Sequence, residues 1–121
     1  MPLKPIKIKP RLNAKIAEIK SLQGYERINQ AVDLALDLKI RIPELEPFIF
    51  LYAGYAYEYI KKVVKKPLPE AEPIILKDPR FAYLYAVYIK KKRWPAAEQL
   101  LKDYQLKIHW SKYKKKFNIK D

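Results

Sequence analysis

Twelve cations gathered in three groups are the residues of this chain best suited to chemistry: Lys61, Lys62, Lys65 and Lys66; Lys90, Lys91, Lys92 and Arg93; Lys112, Lys114, Lys115 and Lys116. Four more, Lys4, Lys7, Lys9 and Arg11, lie within the first twelve residues. The chemistry such groups support is electrostatic. A lysine beside a phosphate releases a condensed counterion and holds the backbone without reading a base. Part of the clustering has a structural reason, because cations complement the negative ends of helices and pair with nearby carboxylates. The five carboxylates in the adjoining loops, Glu44, Glu46, Glu70, Glu72 and Glu98, cannot neutralise all of them. With 26 Lys and Arg against 13 Asp and Glu, a net charge of +13, an uncompensated basic edge is expected.

Catalysis finds little material. His109 is the single histidine, Ser21 and Ser111 are the only serines, and there is no Thr or Cys. Neither a hydrolytic triad, a two-histidine metal site nor a thiol nucleophile can be assembled. His109, next to Trp110, reads as a partly exposed helix residue. The carboxylate pairs Glu44 with Glu46 and Glu70 with Glu72 could hold a hard cation, but both recur at helix openings, where negative charge meets the positive helix end. Gly24 and Gly54 are the only glycines, too few for a phosphate loop. The expectation is a protein that is no enzyme and uses no metal or cofactor.

The elements that must position the lysines are helices. At 121 residues and 50% hydrophobic, the chain can bury one core. Residues 1–12 alternate Lys with Pro, Ile and Leu and predict an extended basic arm, either a strap over the core or a tail that follows phosphates. Residues 13–121 form a single helical domain in this reading. Asn13 is placed to cap a helix over 13–22 that Gly24 ends in a left-handed turn. Ile28, Ala31, Val32, Ala35, Leu36 and Lys39 give the spacing of a one-sided helix over 26–40, stopped by Pro43. Further helices are expected over 53–66, 79–92 and 104–116, with short turns after Pro43, Pro69 and Pro95. The fold class is all-α, a small helical-repeat bundle of about five helices. No window approaches the length of a spanning helix, and Pro2, Pro5 and Pro10 interrupt the start, so an intracellular, cytoplasmic protein without a membrane partner is expected.

From Pro43 the chain repeats itself. PELEP at 43–47 becomes PEAEP at 69–73, and the same shift of 26 residues pairs Tyr55 with Phe81, Tyr57 with Tyr83 and Tyr59 with Tyr85. Asp78 and Pro79 supply a capping carboxylate and a first-turn proline. A third copy opens with PAAE at 95–98 and, one residue shorter, aligns Tyr113 with Tyr88. The units are 43–68, 69–94 and 95–117, a period typical of stacked supersecondary units. The run PEAEPIILKDPRFAYLYAVYIKKK at 69–92 followed by RWPAAE at 93–98 resembles the tandem helical repeat of uncharacterised bacteriophage proteins. That resemblance covers about residues 43–103 and implies a helical repeat of viral origin, placed in the host cytoplasm, but no catalytic residues.

Of the ten tyrosines, Tyr55, Tyr59, Tyr85 and Tyr88 fall with Phe81 on the helix face that must pack, whereas Tyr57 and Tyr83 are expected to keep their hydroxyls at the surface. Trp94 reads as a staple between units. The functional expectation is a non-catalytic nucleic-acid-binding protein, for DNA or RNA, gripping phosphate through Lys61, Lys62, Lys65, Lys66, Lys90, Lys91, Lys92, Arg93, Lys114, Lys115 and Lys116, with Lys4, Lys7, Lys9 and Arg11 in support. The competing classes are a protein-interaction module, a viral factor on an acidic host surface, and an oligomeric structural protein. The sequence leaves the oligomeric state open.

Overall fold

The computed structural model describes residues 4–104 and 106–120, with side chains from Arg11 onward. Eight α-helices and no strand occur among the described residues. α1 (Lys4–Lys20) and α2 (Gly24–Leu38) form an opening pair. A 3₁₀ turn at Pro43–Leu45 leads into α3 (Glu46–Ile49), and α4 (Ala53–Tyr59) continues as a π-helical turn over Ile60–Val64. The pattern recurs as a 3₁₀ turn at Pro69–Ala71, α5 (Glu72–Ile75) and α6 (Pro79–Leu84), continued by a π-helical stretch over Tyr85–Lys90. α7 (Pro95–Asp103) and α8 (Lys107–Lys116) close the chain.

The arm expected over residues 1–12 is corrected from Lys4 onward, where the backbone is helical. Pro5 sits in the first turn, where its missing N–H is not needed, and Pro10 forfeits one bond of a helix long enough to bear it. Asn13 lies exposed inside this helix and so cannot cap its start. What holds the helix is Leu12, Ile16 and Ile19, one stripe packed against Ile28, Val32 and their neighbours. The left-handed backbone of Gly24, with φ at 59°, opens α2 instead of ending α1.

The third short turn is also corrected. Pro47 and Pro73 break the opening turn of the first two units and leave a 3₁₀ start followed by one four-residue turn of helix. Gln99 stands at the corresponding place in the third unit, so α7 runs uninterrupted for nine residues. α8 then begins at Lys107, three residues later than expected. Asp78 caps α6 as the sequence predicts, its side chain accepting from the Arg80 N–H at 3.0 Å.

The long helices run side by side and parallel. Tyr25 meets Tyr52, Asn29 meets Tyr55, and Tyr83 meets His109, each pair separated by 26 or 27 residues. All three units are closed by one device. The buried Tyr59 hydroxyl donates to Glu46 at 2.7 Å and accepts from the Ile42 N–H at 3.0 Å. Tyr85 repeats this with Glu72 and the Leu68 N–H, both at 2.8 Å, and Tyr113 with Glu98 and the Trp94 N–H, both at 2.7 Å. Tyr113 is therefore the counterpart of Tyr85, not of Tyr88 as the sequence alignment had it. Two residues have been inserted before it, not one lost. Burial raises the pKa of all three hydroxyls, that of Tyr113 to about 12.

Several aromatic expectations change with this register. Tyr59 and Tyr85 are wholly buried in equivalent places, and Trp94 is a buried staple against the Tyr85 ring at 5.2 Å. Tyr88 is 55% exposed because it sits three residues beyond the closing tyrosine, on the outer side of the helix. Phe81 and Tyr55 are only half-buried. Tyr57 is buried after all, packed on Phe81, because a helix flanked by α2 and α6 has two inward sides.

Candidate functional site

Parallel helices place their C-terminal ends on one side of the molecule, and with them the lysine groups. Between the ends of α2 and α4 lies a cleft of about 500 Å³ lined by Leu36, Lys39, Lys61, Lys62 and Lys65. Four lysines and no acidic residue line it. Each helix end contributes a partial negative charge of about half an electron, which offsets part of this positive potential. Lys62 is further engaged by Glu58 at 3.0 Å, and Lys61 lies over the Tyr57 ring at 5.9 Å. Lys39 and Lys65 are exposed and have no ion pair among the described residues.

The remaining expected residues divide by what already holds them. Lys66, Lys91, Lys92, Lys115 and Lys116 are exposed on the same helix ends and loops. Lys90 turns inward, paired with Glu72 at 3.3 Å and seated over Trp94 at 5.2 Å. Arg93 is held by both oxygens of Glu98 at 2.8 Å; the same bonds raise the Arg93 pKa and lower that of Glu98. Lys114 is half-buried and rests on the Trp110 ring at 5.5 Å. Arg11 is exposed on α1, away from these helix ends in sequence, and the side chains of Lys4, Lys7 and Lys9 lie outside the described residues. Three of the five carboxylates expected in loops stand in the first turns of α3, α5 and α7 and do more than complement helix ends. Glu46, Glu72 and Glu98 each serve a closing tyrosine and a cation at once, Arg41 being the cation on Glu46 at 2.7 Å.

The sequence reading sets Lys39 on the packing face of the second helix and outside the basic groups; it is exposed instead, because the helix ends there in a left-handed residue, and a signal for this was present. Lys39, Lys65 and Lys91 are spaced by 26 residues, and all three adopt the left-handed backbone, with φ of 53°, 60° and 57°. Each terminates its helix: the N–H of Lys65 reaches Ile60 O at 2.7 Å and that of Lys91 reaches Ala86 O at 2.8 Å, the long spans that make these last turns π-helical. Glycine is the residue this geometry favours, and a side chain costs about 1–2 kcal/mol there. A cation at the helix end returns only about 0.3–1 kcal/mol. Lys91→Gly is accordingly expected to raise stability by about 0.5–1 kcal/mol in urea unfolding. A neutral or destabilising result would mean that the lysine serves the fold itself.

His109 is half-buried, its ring edge-on to Tyr83 at 5.3 Å. Among the described residues no group of three or more His, Cys, Asp or Glu could hold a metal ion, and no helix is long and apolar enough to cross a membrane. No protein family, curated protein or solved structure matches the chain.

Proposed function

We infer that this chain is a non-catalytic nucleic-acid-binding protein that grips the phosphate backbone along its lysine-rich edge. The observation that carries this reading is the cleft of Lys39, Lys61, Lys62 and Lys65, where lysines from two helix ends share one lining that contains no acidic residue. A phosphodiester satisfies several such groups at once and carries its charge along a line, as the edge does through Lys66, Lys91, Lys92, Lys115 and Lys116. Lysine supplies point charges on flexible stems, which suits backbone contact and gives no base readout. The left-handed lysines support the same reading, since glycine would serve the helix ends better and would remove the charge.

The test is fluorescence anisotropy with unrelated duplex DNA, single-stranded DNA and RNA probes across a salt series. Binding in the micromolar range or tighter is expected at about 50 mM salt, alike for unrelated sequences of one polymer type. It should weaken about a thousandfold by about 200 mM if roughly six phosphates are engaged. Absence of binding to every probe at low salt would overturn the reading and leave an acidic protein surface as the partner of this edge.

A further inference from the structure

The face shared by α2 and α4 does not end at the lysine cleft. At the opposite end of the same helix pair lies a second cleft of about 390 Å³, lined by Tyr25, Tyr52, Gly54, Tyr55, Glu58 and Phe81. Tyr25 and Tyr52 are 64% and 43% exposed, so burial does not account for them. They are nonetheless ordered as a unit. Their rings are stacked 9° from parallel with centroids 5.8 Å apart, and the Tyr52 hydroxyl donates to that of Tyr25 at 3.2 Å. Tyr55 stands edge-on to Tyr52 and donates to Asn29 Oδ1 at 3.0 Å. Gly54 keeps the floor at the Phe81 ring, because a Cβ there would come 3.3 Å from Phe81 Cζ.

The aromatic and basic clefts are joined along one row of the α4 segment. Tyr55, Glu58, Lys62 and Lys65 succeed one another at spacings of three and four, and the row is about 15 Å long at the usual helical rise. Glu58 is the one carboxylate on it, and its ion pair with Lys62 at 3.0 Å neutralises it where a polyanion would cross.

We propose that this face binds single-stranded nucleic acid, with phosphates on Lys39, Lys61 and Lys65 and an unpaired base stacked on the Tyr25–Tyr52 pair. This rests on the phosphate-gripping reading above and adds the polymer's state. A duplex keeps its bases in the stack, whereas an unpaired base offers a free π-face to an exposed ring. Stacking is tolerant of sequence, in keeping with an edge that reads no bases.

The experiment titrates the 121-residue chain and its Tyr25→Ala variant with fluorescein-labelled oligothymidine, oligouridine and a mixed-sequence duplex at low salt. The wild type is expected to prefer both single strands to the duplex. Tyr25→Ala should weaken single-strand binding about tenfold or more and leave duplex binding unchanged, while Tyr25→Phe keeps the wild-type affinity. Should Tyr25→Ala fail to fold, Tyr25→Leu keeps bulk without a ring face and is expected to show the same loss. Duplex binding as tight as single-strand binding, or single-strand binding indifferent to loss of the ring, would overturn this inference alone. Failure to bind any of the three probes would overturn it together with the phosphate-gripping reading.

Discussion

Replacing Tyr59 by Phe lowers the stability of the protein by about 2–4 kcal/mol, a large share of what a domain of this size has. The ring keeps its packing, so the loss is that of the hydroxyl. The buried Ile42 N–H loses its acceptor, and Glu46 loses a short charge-assisted bond. Tyr85→Phe and Tyr113→Phe should behave alike, because Leu68 and Trp94 present the same orphaned N–H. Tyr88→Phe is the control, on an exposed ring, and should change stability by less than about 0.5 kcal/mol. Urea midpoints at constant slope read the difference. A cost no larger than that of the control would mean the three hydroxyls are incidental. The same groups set the alkaline limit. Their pKa values are raised in the folded state, so the protonated form is the one that folding favours. The stability they contribute is complete below the ordinary tyrosine value near 10 and declines as pH climbs from there through about 12, where Tyr113 titrates.

Reversing Lys39, Lys61 and Lys65 to Glu is expected to weaken nucleic-acid binding about a hundredfold or more at about 0.1 M salt, since each phosphate contact contributes nearly one power of the salt concentration. The logarithmic salt slope should become shallower by about three. Stability should fall by about 1–3 kcal/mol, because carboxylates then stand at the negative ends of two helices, although none of the three side chains is buried. Lys90→Glu gives a different outcome. Its ammonium sits against Glu72 and Trp94, so reversal places two carboxylates together and destabilises the second unit. An affinity unchanged by the triple reversal would place the contact surface elsewhere. The Lys90 contrast separates damage to the fold from loss of the ligand.

The helical class, the repeat from Pro43 to Lys92 and the Asp78 restart were legible because each rests on a local rule of spacing or capping. The start of α1 was misread because the prolines were weighed as breakers, although one stands in the first turn and the apolar stripe began before Asn13. Tyr113 was paired with the wrong tyrosine because matching letters favoured one register, whereas the hydrogen bonds to Glu98 and Trp94 fix another. Lys39 was misread for a related reason. α2 shares no repeat motif with α4 and α6 except a lysine 26 residues before Lys65, and one spaced lysine gains its meaning only from the left-handed backbone the three share. The split of the basic groups between Lys90, Arg93 and Lys114, which are held, and their exposed neighbours depends on side-chain directions that charge counting does not carry.

The tyrosine closures have a consequence for how the chain is made. Tyr59 reaches back 17 residues to Ile42 and 13 to Glu46, Tyr85 spans the same intervals, and Tyr113 spans 19 and 15. Every partner of a closure is therefore synthesised before the tyrosine that joins them. Contacts of such short sequence separation form quickly and do not wait for distant segments. Each unit can shut as soon as its long helix leaves the ribosome, with the previous unit already in place as the surface on which it settles.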